Sequence, residues 1–210
     1  MMRLYTYILS VVLMAVAGAV SAQSGESVAR EVLDRTADAF RRAGGIQASF
    51  HVRSPEGYSE GTICLKGEKF VLRTEGMTTW FDGRTQWTYL SSSDEVNIVE
   101  PTPEELQGIN PYAWLSLYDQ GFLLKQNRNA DAGVYEIEMV ATSPEAQIER
   151  MVISIDKDSM RPVRVSLTLA GNTEATVINV YDYHTGRSWP DSFFTFDRKA
   201  YPTAEIIDLR

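Results

Sequence analysis

Residues 27–45, SVAREVLDRTADAFRRAGG, place Val28, Val32, Leu33, Ala37 and Phe40 at helical spacing, with Arg and Asp on the other side. This predicts one amphipathic helix, capped at Ser27 and ended by Gly44-Gly45. From Ile46 the period drops to two: Ile46, Ala48, Phe50 and Val52 share one face of a strand. Further alternating runs are YSEGTICLK, KFVLRTE, TTWF, TQWTYL and EVNIV. Asp82-Gly83, between the two aromatic runs, predicts a two-residue hairpin turn.

The pattern changes at EPTPEELQGINPYAWLSLYDQGF, which holds two helix starts. Thr102 precedes Pro103 and Glu104-Glu105, and Asn110 precedes Pro111. Strands resume with FLLKQ, VYEIEMVA, IERMVISI, PVRVSLTLA and TEATVINVYDY. The expected total is about eleven strands and three helices. Each long strand has one apolar and one polar face, which predicts an antiparallel sheet covered on one side. Such a sheet curls, and a helix across its open side encloses a space. Alternation does not say whether that space is filled. No internal repeat or low-complexity linker divides the chain, so residues 23–210 are expected to form one domain.

Residues 1–22 look like a cleaved secretory signal: Arg3, an apolar run, and a small-x-small site ending at Ala22. Cys64 is the single cysteine, which rules out an intramolecular disulfide. No cysteine stands directly after the expected cleavage site, where Gln23 is found, to carry a lipid. A soluble protein is expected. The net charge of −8 argues against binding to nucleic acid or to anionic membrane surfaces.

Little in the chain suggests catalysis or a metal. His51 and His184 stand in no ligand spacing and are expected at the surface. Gly57-Tyr58-Ser59-Glu60-Gly61 has the Gly-x-Ser-x-Gly spacing, but it opens an alternating strand run and is followed by no helix start, so it does not read as a nucleophile elbow. Cys64 has no neighbouring His in sequence. DEVNIVEPTPEE is acidic but lacks the pattern of a calcium loop. No metal, cofactor or enzymatic activity is expected.

Several stretches together resemble one family, the periplasmic outer-membrane lipoprotein carriers (LolA). They are ASF at Ala48–Phe50, GTICLKGEKFVL, FDGRTQWTYL, NPYAWLSL and the ending FFTFDRKAYPTAEIIDLR, in the family's order. The resemblance implies a mainly β (α+β) fold: an incomplete, strongly curved antiparallel barrel whose open side is plugged by helices. It implies a hollow that takes the acyl chains of lipoproteins. It also implies a monomer that receives cargo from an inner-membrane lipoprotein-releasing ABC exporter and delivers it to a possible outer-membrane receptor. Two features depart from the family. Lys66-Gly67-Glu68-Lys69 replaces an Arg-Pro turn whose Arg helps hold the lid, which leaves Lys66 as the candidate latch. LSSSDE replaces the Asn-Pro expected after the hairpin Tyr.

On this reading Phe50, Ile63, Leu65, Phe70, Leu72, Trp80, Trp87 and Tyr89 line the hollow, with Leu115 on a lid helix. Plain core packing is the alternative for the aromatics. The inverted face would instead put Met77, Thr79 and Phe81 inside. Four other functions remain open. One is a lipid- or stress-sensing module, although those carry an additional C-terminal domain for which this length is not expected to leave room. The others are a membrane-anchored receptor of the same fold, a small esterase, and a solid structural β protein.

Overall fold

A computed structural model of the protein describes residues 25–102, 105–106, 118–119 and 121–210. Helix α1 spans residues 25–42, so Ser27 lies inside it and not at its cap. Gly44, at φ +73, ends it in the left-handed conformation that glycine adopts without strain.

Twelve strands follow: β1 (Gly45–Ser54), β2 (Gly57–Lys66), β3 (Lys69–Thr74), β4 (Met77–Phe81), β5 (Gln86–Leu90) and β6 (Glu95–Val99) form the first half. The second half is β7 (Phe122–Asn127), β8 (Val134–Ala141), β9 (Ile148–Asp156), β10 (Pro162–Leu169), β11 (Thr176–Arg187) and β12 (Glu205–Asp208). They form one open sheet in the order β12-β6-β5-β4-β3-β2-β1-β11-β10-β9-β8-β7. All eleven expected strands are present. The twelfth, β12, pairs parallel to β6, while every other neighbour is antiparallel.

α1 lies on the concave face and bridges both halves of the sheet. Ala29, Val32 and Leu33 pack with Ile137, Met139, Met151, Ile153 and Val165 from β8, β9 and β10. Ala37 and Phe40 pack with Ile46, Ala48, Ile63, Leu65 and Phe70 from β1, β2 and β3. Each fully buried aliphatic side chain here stabilises the fold by about 1.5–3 kcal/mol. Val28 departs from the expected stripe and is 38 % exposed.

The connection between β6 and β7 joins the strand next to one edge of the sheet, β6 beside β12, to the strand at the other edge. At its start, Thr102 Oγ1 accepts from the Glu105 amide at 3.3 Å, and Glu105 Oε2 accepts from the Thr102 amide at 2.8 Å. This reciprocal pair is a capping box, as Thr102 predicts. The expected helix at Asn110, including Leu115, lies outside the described residues. The helical elements among the described residues are α1, residues 105–106 after the Thr102 cap, and two short 3-10 turns, Asp191–Phe194 and Arg198–Ala200, which were not expected.

The convex face of β2–β6 is covered as well. Cys64, Val71, Trp80, Trp87 and Ile98 are register partners in one row across these strands. Trp189, Phe193, Phe194, Phe196 and Tyr201, all after β11, pack onto that row and its neighbours. Trp80 meets Phe196 at 5.7 Å and Tyr201 at 5.6 Å, both edge-on, the arrangement aromatic quadrupoles favour.

Candidate functional site

A cavity of about 470 Å³ opens on the concave face between the Phe40 end of α1 and the sheet. Its walls come from alternate positions of β1 (Ile46, Ala48, Phe50, Val52) and β2 (Ile63, Leu65), and from Ile178, Val180 and Tyr183 of β11. Leu72, Met77, Thr79, Gln86 and Thr88 extend the wall along β3–β5, and Ile153 and Pro162 complete it. None of these described lining residues is charged. The volume is typical of a site for a lipid or drug-sized molecule.

Glycine shapes one wall. Gly61 stands directly across from Phe50, and a Cβ there would approach the Phe50 ring to 2.9 Å and the Arg73 carbonyl oxygen to 2.1 Å. Without that Cβ, the Phe50 ring lies over β2 and β3 comes in close. Tyr183 also faces the hollow. Burial pushes its phenol up to about 12, against the opposing pull of Arg161, whose guanidinium lies 5.8 Å from its ring centroid.

The structure sorts the sequence candidates by face. Phe50, Ile63, Leu65 and Leu72 line the cavity. Phe70 is on the same face but packs against Phe81 at 5.3 Å, fully buried in the adjoining core. Trp80, Trp87 and Tyr89 do not line it. They point to the convex side, under the segment after β11. The inverted assignment is the one observed, with Met77 and Thr79 in the cavity wall and Phe81 in the concave core.

The cause is local and tertiary together. Phe81 pairs with Gln86, so the loop has four residues, Asp82–Thr85, and not two. Asp82 Oδ1 holds it by accepting from the Arg84 amide at 2.9 Å and the Thr85 amide at 2.8 Å. Trp80 then opposes Trp87, which keeps them on one face as expected. That face turns outward because the aromatic segment around Phe194 is there to cover it.

Lys66 is also on the outer face, in phase with Cys64. Its Nζ donates to the Trp189 carbonyl at 2.9 Å and meets Asp191 Oδ1 at 3.1 Å. Lys69 Nζ holds Asp191 Oδ2 at 3.1 Å. Lys66 therefore anchors the C-terminal segment on the side opposite α1, which is not the position of a latch over the cavity. These two lysines hold the Asp191 carboxyl below the usual aspartate range. A depressed folded value means the contribution is present above the ordinary aspartate pKa and is lost as pH falls through the folded one. Asp191→Asn should therefore reduce the drop in melting temperature between about pH 4 and pH 2, read by thermal unfolding at each pH.

A tie that the sequence did not reveal does involve α1. Tyr118 is buried, and its hydroxyl donates to Asp34 Oδ1 at 2.6 Å. Arg30 Nη1 bonds Asp119 Oδ1 at 2.6 Å. Burial first, then the Asp34 carboxylate, holds the Tyr118 phenol well above its ordinary value. Tyr118→Phe should cost about 1 kcal/mol in urea unfolding, because the Asp34 side of the bond is exposed and regains water.

The remaining candidates are structural. Cys64 is buried, which raises its thiol, while Arg73 opposes the shift. His51 stacks between Tyr58 at 5.9 Å and Tyr181 at 5.7 Å, and His184 is exposed. Among the described residues no group of His, Cys, Asp and Glu is placed to hold a metal ion, and no helix is long and apolar enough to cross a membrane.

Residues 19–171 match a family model described as outer membrane lipoprotein carrier protein LolA. Among curated proteins none matches the sequence. Among solved structures, an uncharacterized conserved protein from Thermus thermophilus is 14 % identical with a TM-score of 0.59, covering 86 % of this chain and 99 % of that one. A DUF1329 family protein from Desulfovibrio piger is 12 % identical with a TM-score of 0.51, covering 84 % and 99 %. At these identities the two structures share the fold with this chain.

Proposed function

Because the chain belongs to the outer membrane lipoprotein carrier protein LolA family, we propose that its cavity shelters the acyl chains of lipoproteins and that the protein ferries them from the inner to the outer membrane. The observation that supports this most directly is a hollow of about 470 Å³ whose described lining is uncharged and almost wholly apolar. Each methylene moved out of water contributes about 0.8 kcal/mol, so a chain of some fifteen carbons costs on the order of 10 kcal/mol to expose. Cargo with that exposure does not leave a membrane unaided at a useful rate. A wall of Phe50, Ile63, Leu72, Ile178 and Val180 offsets the cost.

The setting is the periplasm, reached through the signal at residues 1–22, with residues 23–210 as the carrier domain. The sequence holds no GxxxxGK[ST] loop for ATP. Loading is therefore assigned to an ATP-driven exporter in the inner membrane, and release to a downhill handover to an outer-membrane acceptor. The protein works as a monomer, by binding and without catalysis.

A second reading, a lipid-binding half-barrel without a general carrier role, is favoured by one observation. Lys66, the counterpart of the family's latch, faces away from the cavity and holds the C-terminal segment.

The test is native mass spectrometry of the protein isolated from its own periplasm, followed by depletion. Acylated protein should co-purify, and outer-membrane lipoproteins should be mislocalised on depletion. Co-purified lipid without protein, with lipoproteins correctly placed after depletion, would select the second reading.

A further inference from the structure

One polar strip interrupts the apolar wall. Thr79 on β4 and Thr88 on β5 are register partners, and their hydroxyl oxygens are 3.3 Å apart. Gln86 Nε2 donates to Thr88 Oγ1 at 3.3 Å. The other end of the same amide, Gln86 Oε1, is buried and has no hydrogen-bond partner among the described residues. All three side chains belong to the cavity wall. A buried carbonyl oxygen left unpaired is costly, and native proteins rarely leave one without a reason. The terminal torsion of Gln is soft, so a small turn presents this oxygen to an occupant of the hollow.

We propose that the strip recognises the head of the bound lipid, and that the lipid it takes is an acyl chain joined through an amide. This rests on the cavity being an acyl site, as proposed above. The chain of bonds from Gln86 through Thr88 to Thr79 leaves an acceptor at one end and a hydroxyl proton at the other. A secondary amide supplies both partners: its N–H donates to Gln86 Oε1, and its carbonyl accepts from a threonine hydroxyl. An ester offers only acceptors and leaves Gln86 Oε1 unpaired. A fatty-acid carboxylate also lacks a donor, and no described cationic residue lines the cavity to neutralise it. The strip thus separates N-acyl from O-acyl and free-acid ligands of the same chain length.

The test is displacement of an environment-sensitive fluorescent acyl probe from the mature protein. N-butyl hexadecanamide, butyl hexadecanoate and hexadecanoate, each delivered from cyclodextrin, are the competitors. The amide should displace the probe at about tenfold lower concentration than the ester, the effect of one unpaired buried group. In Gln86→Leu the ratio should fall to about one. Thr88→Val, which removes the bond that orients Gln86, should reduce it in the same direction. Equal potency of amide and ester in the unaltered protein, as when a trapped water already satisfies Gln86, overturns the proposal. So does a preference that survives both substitutions. If the probe does not bind at all, the acyl-site reading itself fails, which is a separate outcome. Far-UV circular dichroism identifies any variant that has not folded, and the comparison in the unaltered protein then decides alone.

Discussion

Ala48→Trp should leave the protein folded and weaken acyl binding more than about tenfold. Ala48 is 3 % exposed and its side chain faces the cavity, beside Phe50 and across from Ile63. In a filled core, an indole in place of a methyl forces neighbours off their rotamers and costs about 1–3 kcal/mol or more. Here the ring has a hollow of about 470 Å³ to enter. Stability should change by less than about 1 kcal/mol, because the gain from burying the ring offsets the strain. The same ring displaces several methylenes of any bound chain, at about 0.8 kcal/mol each, so probe affinity should fall more than about tenfold. Ala29→Trp is the control. Ala29 is fully buried among Leu33, Ile137 and Met151 and does not line the cavity, so its variant should lose the full overpacking cost. Urea unfolding and probe titration read the two effects. Equal destabilisation of the two variants would show that the hollow does not admit a side chain of that size.

Phe194→Ala should be the most destabilising single change outside the concave core, by about 3–5 kcal/mol. The ring is completely buried. It meets Phe193 at 5.2 Å and Trp189 at 6.1 Å and packs over Cys64, Val71 and Trp80. Its removal leaves a cavity lined by rigid aromatic and β-branched groups that collapse poorly. Because it stands on the convex side, acyl-probe affinity measured well below the urea midpoint should be unchanged. A loss under about 1 kcal/mol would mean that the C-terminal segment is a peripheral cover and not part of the core. The two predictions probe opposite faces of the same strands, so together they separate what supports the sheet from what the sheet encloses.

Much of this architecture is legible in the chain. The eleven alternating runs are strands because period-two patterning over four or more residues has few other solutions. β12 escaped because EIID is short, and its pairing to β6 is parallel and far away in sequence. Phe50, Ile63 and Leu65 were legible as one face of their strands because polar or small residues alternate with them, while their place in a hollow, with Leu72, came from the family resemblance. The hairpin offered no such contrast: Trp80 is 6 % exposed and its neighbour Phe81 2 %, so both faces of β4 are buried. Gln86 and Thr88 drew no attention, and Thr79 entered only through the inverted face, since a polar residue in a strand ordinarily reads as solvent-facing.

Side-chain spacing along the backbone was enough to locate the strands, to group the residues that share a face, and to require that α1 cover one side of a curling sheet. Those are local properties. Which face of β4–β6 turns inward was settled by distant packing instead. That choice depends on Phe193, Phe194, Phe196 and Tyr201 folding back over Trp80, Trp87 and Tyr89, about a hundred residues earlier in the chain. Alternation tells the two faces of a strand apart but not which one meets water. When both are apolar, the answer lies with whatever distant segment arrives to cover one of them.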